Sequence, residues 1–128
     1  MREQQIAEVL EKSETKNFQQ PDEVREFPQG RVELVKIGGV TVGRATFEPG
    51  WRWSESVKPI AKTDSCEMSH FVYQISGTMR IRMDDGTEFD CRAGDVCLIP
   101  PGHDGWVVGD EPAVNVDFQG MEKYALSE

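Results

Sequence analysis

Asp64, Cys66, Met68 and His70 alternate along the stretch DSCEMSH, so in an extended chain all four side chains point to one face. A Cys thiolate and a His imidazole are both ligands for a transition metal. A thiol beside an imidazole is also the pair that covalent catalysis uses. Four residues apart in a strand, however, Cys66 and His70 are separated by ~13 Å of rise. Either chemistry therefore requires the chain to bend between them. A reading without chemistry stands beside these two: a buried Cys packs as a small hydrophobe, and a buried His is satisfied by one or two hydrogen bonds. The second of the two histidines, His103, lies in the turn PPGHDG.

The elements that must position these residues are β-strands. From residue 31 onward the chain runs RVELVKI, GGVTVGRATF, HFVYQI, TMRIRM, TEFDC, VCLIP, WVV and AVNVDF, punctuated by EPG, DDG, RAGD, PPGHDG and GDEP. Short strands with turn signals at this spacing indicate an all-β sandwich or barrel. In TMRIRM, Met79, Ile81 and Met83 share one face and Arg80 and Arg82 the other, the pattern of a strand with one wet face. In AVNVDF, Val114, Val116 and Phe118 form the apolar set, with Asn115 and Asp117 opposite. By parity with His70, Gln74 shares its face, and an inward Gln needs a partner: a ligand, a water, Asn115 or Asp117. Ahead of the strands, residues 3–16 have helical composition with a weak apolar stripe of Ile6, Val9 and Leu10, and residues 17–30 read as a loop. The expected division is an N-terminal helix and arm over 1–30 and a β domain over 31–128.

Composition narrows the partners. The 128 residues suit one domain, and the net charge of −9 disfavours phosphate backbones and anionic membrane surfaces. No nucleic acid and no membrane partner is expected. No apolar run approaches a membrane span, and the polar first residues lack a secretory signal, so the expected location is cytoplasmic. Cys66, Cys91 and Cys97 are an odd number without a CxxC pair, which reads as reduced thiols. Cys91 and Cys97 flank the turn RAGDV. No hydrolase elbow, P-loop or dinucleotide fingerprint occurs.

Residues 70–110 resemble the cupin superfamily. The backbone positions of that family's second motif are met by Gly94 followed by Pro100-Pro101-Gly102, and Gly77 anchors the first motif. Seven residues before Gly77, where the family has its Glu, stands His70. Cys66 and Asp64 fall where the family has its His-x-His pair. In the second motif the family's His falls on Gly105 and its Asn on Gly109, with His103 two residues earlier. The stretches GRATFEPGWRWSESVKP and IPPGHDGWVVGDEP are similar to a subgroup of small bacterial single-domain cupins with no settled activity.

The resemblance implies a double-stranded β-helix, the RmlC-like jelly-roll barrel, over about residues 31–118. It implies that the face bearing Cys66 and His70 is the barrel interior, and that the chain bends between them. His103 then supplies a third ligand beside Cys66 and His70. One sulfur and two nitrogens favour zinc over iron, nickel or manganese. A pocket with no metal is the alternative. Trp53, Met68 and Gln74 are expected to line the ligand pocket, Trp53 by closing over the barrel mouth. Trp106 is expected in the core. Small jelly rolls leave sheet edges open, so a homodimer is expected, with residues 1–30 reaching across the partner. Two functions follow: a small-molecule-binding cupin, or a metal-dependent cupin enzyme of isomerase, lyase or dioxygenase type acting on a small oxygenated organic acid or sugar.

Overall fold

The computed structural model describes residues 12–126. Nine strands follow one another: β1 (Glu23–Phe27), β2 (Gly30–Ile37), β3 (Val40–Phe47), β4 (His70–Ser76), β5 (Thr78–Met83), β6 (Glu88–Cys91), β7 (Val96–Ile99), β8 (His103–Val108) and β9 (Ala113–Asp117). Two single-turn helices, α1 (Trp53–Ser56) and α2 (Lys58–Ala61), fill the long connection from β3 to β4. The strands form two antiparallel sheets, one in the order β1-β2-β3-β9-β4-β7 and one in the order β6-β5-β8. Alternation sets which face is inward. Ala45 and Phe47, Val72 and Gln74, and Met79 and Ile81 are buried between more exposed neighbours, whereas in β2 all four residues Val32–Val35 are buried.

Gly77 makes the hairpin from β4 to β5, and only glycine fits there. Its φ is +70°, and a Cβ at this position would lie 2.3 Å from the Pro112 carbonyl oxygen. That close approach seats the start of β9 against β4, the pairing that later brings Asp117 to the site.

The β domain begins earlier than residue 31. β1 pairs in register with β2, from Glu23 opposite Leu34 to Phe27 opposite Gly30. Pro21, Pro28 and the turn residues around them bracket a strand of only five residues, too short to show its alternation above the loop signals. Ahead of it, Asp22 binds the chain's own sheet through the backbone of Leu34 and Lys36. The described part of the arm thus packs on its own barrel. The helix expected over 3–16 lies mostly outside the described residues, and residues 12–16 are not helical.

The chain does not stop at β9. Residues 119–126 fold back over the barrel mouth, and Met121 and Tyr124 are buried there. Arg25 on β1 fastens this tail. Its guanidinium donates to the carbonyl oxygens of Met121 at 2.9 Å, Tyr124 at 2.7 Å and Glu122 at 2.8 Å. Trp106 is half-exposed rather than core, and the Arg52 guanidinium lies 4.1 Å over its ring. It alternates with the inward Gly105 and Val107, so parity assigns it to the outside.

Candidate metal and ligand site

The bend that both chemistries require is present. Residues 67–69 are not strand, and β4 starts only at His70. The turn lets Cys66 Sγ come within 3.6 Å of His70 Nε2, despite their separation in sequence. Cys66 is held by a backbone bridge to His103. Its N–H donates to the His103 carbonyl at 2.8 Å, and its own carbonyl accepts from Gly102 N–H at 2.7 Å. His103 therefore reaches the barrel interior, where it is buried. The ligand atoms of Cys66, His70 and His103 all lie within 4.8 Å of one another.

Each imidazole is oriented from behind. His70 Nδ1 lies 2.5 Å from Asp117 Oδ2. Asp117 is fully buried, and its other oxygen accepts from Phe71 N–H and Gln119 N–H. His103 Nδ1 donates to the Pro100 carbonyl at 2.7 Å. In both rings Nε2 is left to face the cluster, the outer-partner arrangement that metal-ligating histidines share. Gly120, with φ +84°, closes the turn after Asp117 so tightly that a Cβ there would lie 2.1 Å from the Ser69 carbonyl.

The electrostatics match this arrangement. Burial works against the Cys66 thiolate, but hydrogen bonds from His103 and His70, and their charge, outweigh it and bring the thiol from 9.0 to about 6. Burial also opposes charge on His70, yet the hydrogen bonds to Asp117 and Cys66 raise it from 6.5 to about 9. Tyr124 meets the His70 ring edge-on at 5.6 Å, and its phenol is pushed well up by burial and by the charges of Cys66 and Asp117.

The cluster opens on a cavity in the barrel with about 50 Å³ of free interior. At roughly 10–15 Å³ per water, that is room for about four water-sized groups. Trp53 and Gln74 line it, together with Val72, Met79, Ile99, Asn115, Met121 and Tyr124. Met68 does not. Because residues 67–69 are not strand, the parity that put Met68 beside Cys66 breaks, and its side chain lines a separate cleft under Val57 and Leu126. Asp64 also leaves the set, since its carboxylate is fully exposed beside Lys58. Gln74 finds neither Asn115 nor Asp117 as a partner: its amide Nε2 donates to the carbonyls of Ser76 at 2.9 Å and Gly77 at 3.5 Å. The position of the usual family His, Gly105, faces inward too, but a Cβ there would lie 3.1 Å from Ile81 Cδ1. A side chain at 105 would press on Ile81, and a shift of two residues to His103 keeps the same strand face. Cys91 and Cys97 are both free thiols, and burial and then Cys97 push the Cys91 thiol up.

Two residues of the site had weak signals in sequence. Asp117 was visible as the polar side of AVNVDF and as a candidate partner of Gln74, not of His70, and the structure inverts the ordinary reading of that strand. Asn115 and Asp117 are buried, whereas Phe118 is 53% exposed. Tyr124 lies beyond the last strand, where no periodicity points to it.

The AraC-like ligand binding domain family matches residues 67–115, the stretch that carries His70, Gln74, His103 and Asn115. Among solved structures, an RmlC-like cupin from Shewanella frigidimarina aligns with a TM-score of 0.58 at 16% identity, over 88% of this chain and 95% of that one. The chain folds as a cupin. A protein of unknown function from Rhizobium leguminosarum aligns with this cupin barrel at a TM-score of 0.62 and 16% identity, over 84% of this chain and 96% of that one. An oxalate decarboxylase from Lactobacillus farciminis, solved as a formate complex, aligns at 0.55 and 19% identity, over 80% of this chain. This cupin spans only 32% of that enzyme's length. No curated protein matches the sequence at a significant level. Among the described residues no helix is long and apolar enough to cross a membrane. The matched family is one of ligand binding domains, and the barrel of this chain holds a Cys/His/His cluster of metal-ligating chemistry.

Proposed function

We propose that this cupin binds a small oxygenated organic molecule inside its barrel, on one divalent transition metal held by Cys66 Sγ, His70 Nε2 and His103 Nε2, with zinc favoured. The observation that carries the reading is the 3.6 Å between Cys66 Sγ and His70 Nε2. Ligands at ~2.3 Å (sulfur) and ~2.05 Å (nitrogen) from a tetrahedral zinc stand ~3.6 Å apart, so this pair of donors already has the metal's spacing, and His103 lies within 4.8 Å of both. The thiolate is favoured by its neighbours, both imidazoles are oriented by outer partners, and sulfur with two nitrogens suits zinc better than the oxygen-seeking metals. Such a metal would supply Lewis acidity to an oxygen of the bound molecule. Asp117 would hold His70 in the tautomer that ligates, and Tyr124, Met121 and Trp53 would limit access of water. Elemental analysis of the purified protein beside His70→Ala tests the reading. It expects about one zinc per chain in the wild type and a sharp loss in the variant.

One observation favours the enzyme reading within this proposal. Three protein ligands facing an open cavity leave a coordination position for substrate, as catalytic zinc sites do and closed structural sites do not. Lyase or isomerase chemistry on a small hydroxylated acid needs no redox change at the metal, and it is the enzyme class that a zinc site supports.

A homodimer is part of the same proposal. On the outer face of β4 and β7, Phe71 is opposite Leu98 and Tyr73 is opposite Val96, and all four are exposed, as are Ile75 and Phe118. β7 is also a sheet edge. Six large apolar side chains about half exposed present on the order of 600 Å², near the ~800 Å² per partner of a standard interface. A second copy seated there would cover both the edge and the patch.

A further inference from the structure

The wall of the cavity is bonded into the barrel everywhere except at the tail. Its strand residues lie in the two sheets. Of the wall residues outside the strands, Trp51 accepts from Val107 N–H at 3.1 Å, Trp53 follows the bridge between Arg52 and Trp106, and Cys66 is bridged to His103. Met121 and Tyr124 differ. Among the described residues, the last backbone bond from the chain to the sheets is Phe118 N–H to the Phe71 carbonyl at 2.9 Å. Gln119 N–H then reaches the Asp117 side chain. Inside the tail, Tyr124 N–H to Met121 and Leu126 N–H to Lys123 are long, at 3.4 and 3.3 Å. The three bonds from Arg25 are therefore the polar tie that holds residues 120–126 on the barrel. Arg25 is itself braced by Glu23 at 2.7 Å.

The rest of the hold is apolar. Gly43 on β3 leaves a socket for Met121, since a Cβ there would lie 2.8 Å from Met121 Cγ. Tyr124 packs edge-on against Phe27 at 6.0 Å and against His70 at 5.6 Å. Glu122 and Lys123, between these two plugs, are exposed. On the outer side, the cleft that holds Met68 shares Trp53, Cys66 and Tyr124 with the cavity. One layer of side chains thus separates cleft from cavity. Trp53 belongs to a hydrogen-bonded helix, so Tyr124 is the part of that layer free to move. A segment with few backbone bonds opens at a fraction of the cost of unfolding the sheets.

We propose that residues 120–126 are a lid, turning about Gly120 and latched by Arg25, and that metal ions and small molecules reach Cys66, His70 and His103 when it lifts. Gly120, at φ +84°, supplies the turn at the base of the tail. No donor of the cluster comes from the tail. Loosening the latch should therefore change how fast the site exchanges and not how tightly it binds. The proposal rests on the metal reading only for the use of zinc as a probe.

The test measures zinc association and dissociation in full-length wild type, Arg25→Met and Arg25→Lys by stopped flow against a chromophoric chelator. Arg25→Met should raise both rates by about tenfold or more, one lost hydrogen bond from a charged donor being enough for that factor. The dissociation constant should stay within about twofold. Arg25→Lys should raise both rates by less, since an ammonium keeps the charge but lacks the planar fork. Val35→Ala, at a buried position of β2 off the cavity wall, is the control for general loss of stability and should leave both rates within about twofold. Circular dichroism checks that each variant is folded. Unchanged rates in the folded Arg25 variants overturn the lid. So does a weaker dissociation constant with unchanged association, which would make Arg25 a prop of the site, or an equal rise in Val35→Ala. A second arm needs no metal: iodoacetamide at fixed pH, read on the Cys66 peptide by mass spectrometry in a Cys97→Ser background. Alkylation should be about tenfold faster in Arg25→Met, and equal rates overturn the lid. If no zinc binds, the metal reading falls alone and this arm decides the lid.

Discussion

His70 Nδ1 is bonded to Asp117 Oδ2, so Nε2 is the only ring nitrogen that His70 can turn toward Cys66. The residue that orients the ring lies 47 positions away in sequence, on a strand that β4 meets only by pairing with β9. Asp117→Asn keeps the shape and the oxygen that receives the Phe71 and Gln119 N–H groups, but removes the negative charge behind the imidazole. Zinc affinity, read by competition with a chromophoric chelator, should fall about 10–100-fold, the usual cost of losing an outer partner, while the dichroism spectrum stays that of the wild type. Unchanged affinity would show that the bond is structural only.

In the metal-free protein the thiol of Cys66 should titrate near 6, and His70 near 9. The raised His70 contributes stability in full below 6.5, and that contribution is lost as the pH rises through about 9. The depressed Cys66 contributes in full above 9.0 and loses it as the pH falls through about 6. Between 6.5 and about 9 the His70 contribution falls while the Cys66 contribution rises, so the pair should leave the melting temperature nearly unchanged across that window. Alkylation of Cys66 by iodoacetamide against pH, in a Cys97→Ser background, measures the thiolate directly. His70→Gln should move its midpoint upward toward 9.0, and a wild-type midpoint already at 9.0 would contradict the thiolate–imidazolium pair.

Arg25 ties β1 to the tail that carries Tyr124. Arg25→Met keeps most of the aliphatic stem and removes the donors to three carbonyl oxygens. The expected cost is about 1.5–3 kcal/mol, the range for hydrogen bonds to a charged group. Because Tyr124 and Met121 roof the cavity, the same variant should make Cys66 more reactive toward iodoacetamide at constant pH. A melting temperature equal to that of wild type, with unchanged reactivity, would remove Arg25 from the closure of the mouth.

The outer face of β4 and β7 gives a prediction about assembly. Wild-type protein should sediment at twice 14.4 kDa, and Leu98→Lys should give the monomer, since a charge placed in an apolar interface must be desolvated without a partner. A wild type that remains a monomer at high concentration would contradict the dimer.

Much of the barrel was legible in sequence because its signals are local. Alternation in TMRIRM and HFVYQI, and the glycines at 77, 94 and 102, act within a few residues of where they are read. The Cys66–His70–His103 set was legible as residue types, because parity and motif position both pointed to them. What failed did so where the chain departs from regular strand. Met68 was placed by a parity that ends at Cys66, and the short β1 was hidden between prolines. Asp117 and Tyr124 could not be assigned because their roles come from β4–β9 pairing and from the tail folding back. Those are contacts of high sequence separation, and one sequence carries no local trace of them.

The central claim is tested most directly by elemental analysis of protein purified after supplementation with zinc, iron, nickel and manganese. Wild type, His70→Ala and Cys66→Ser would be compared, with melting curves to confirm that each is folded. The account predicts about one zinc per wild-type chain and a loss of most of it in both folded variants, because each removes one of three protein ligands. A wild type free of metal, or equal metal in wild type and His70→Ala, would contradict it.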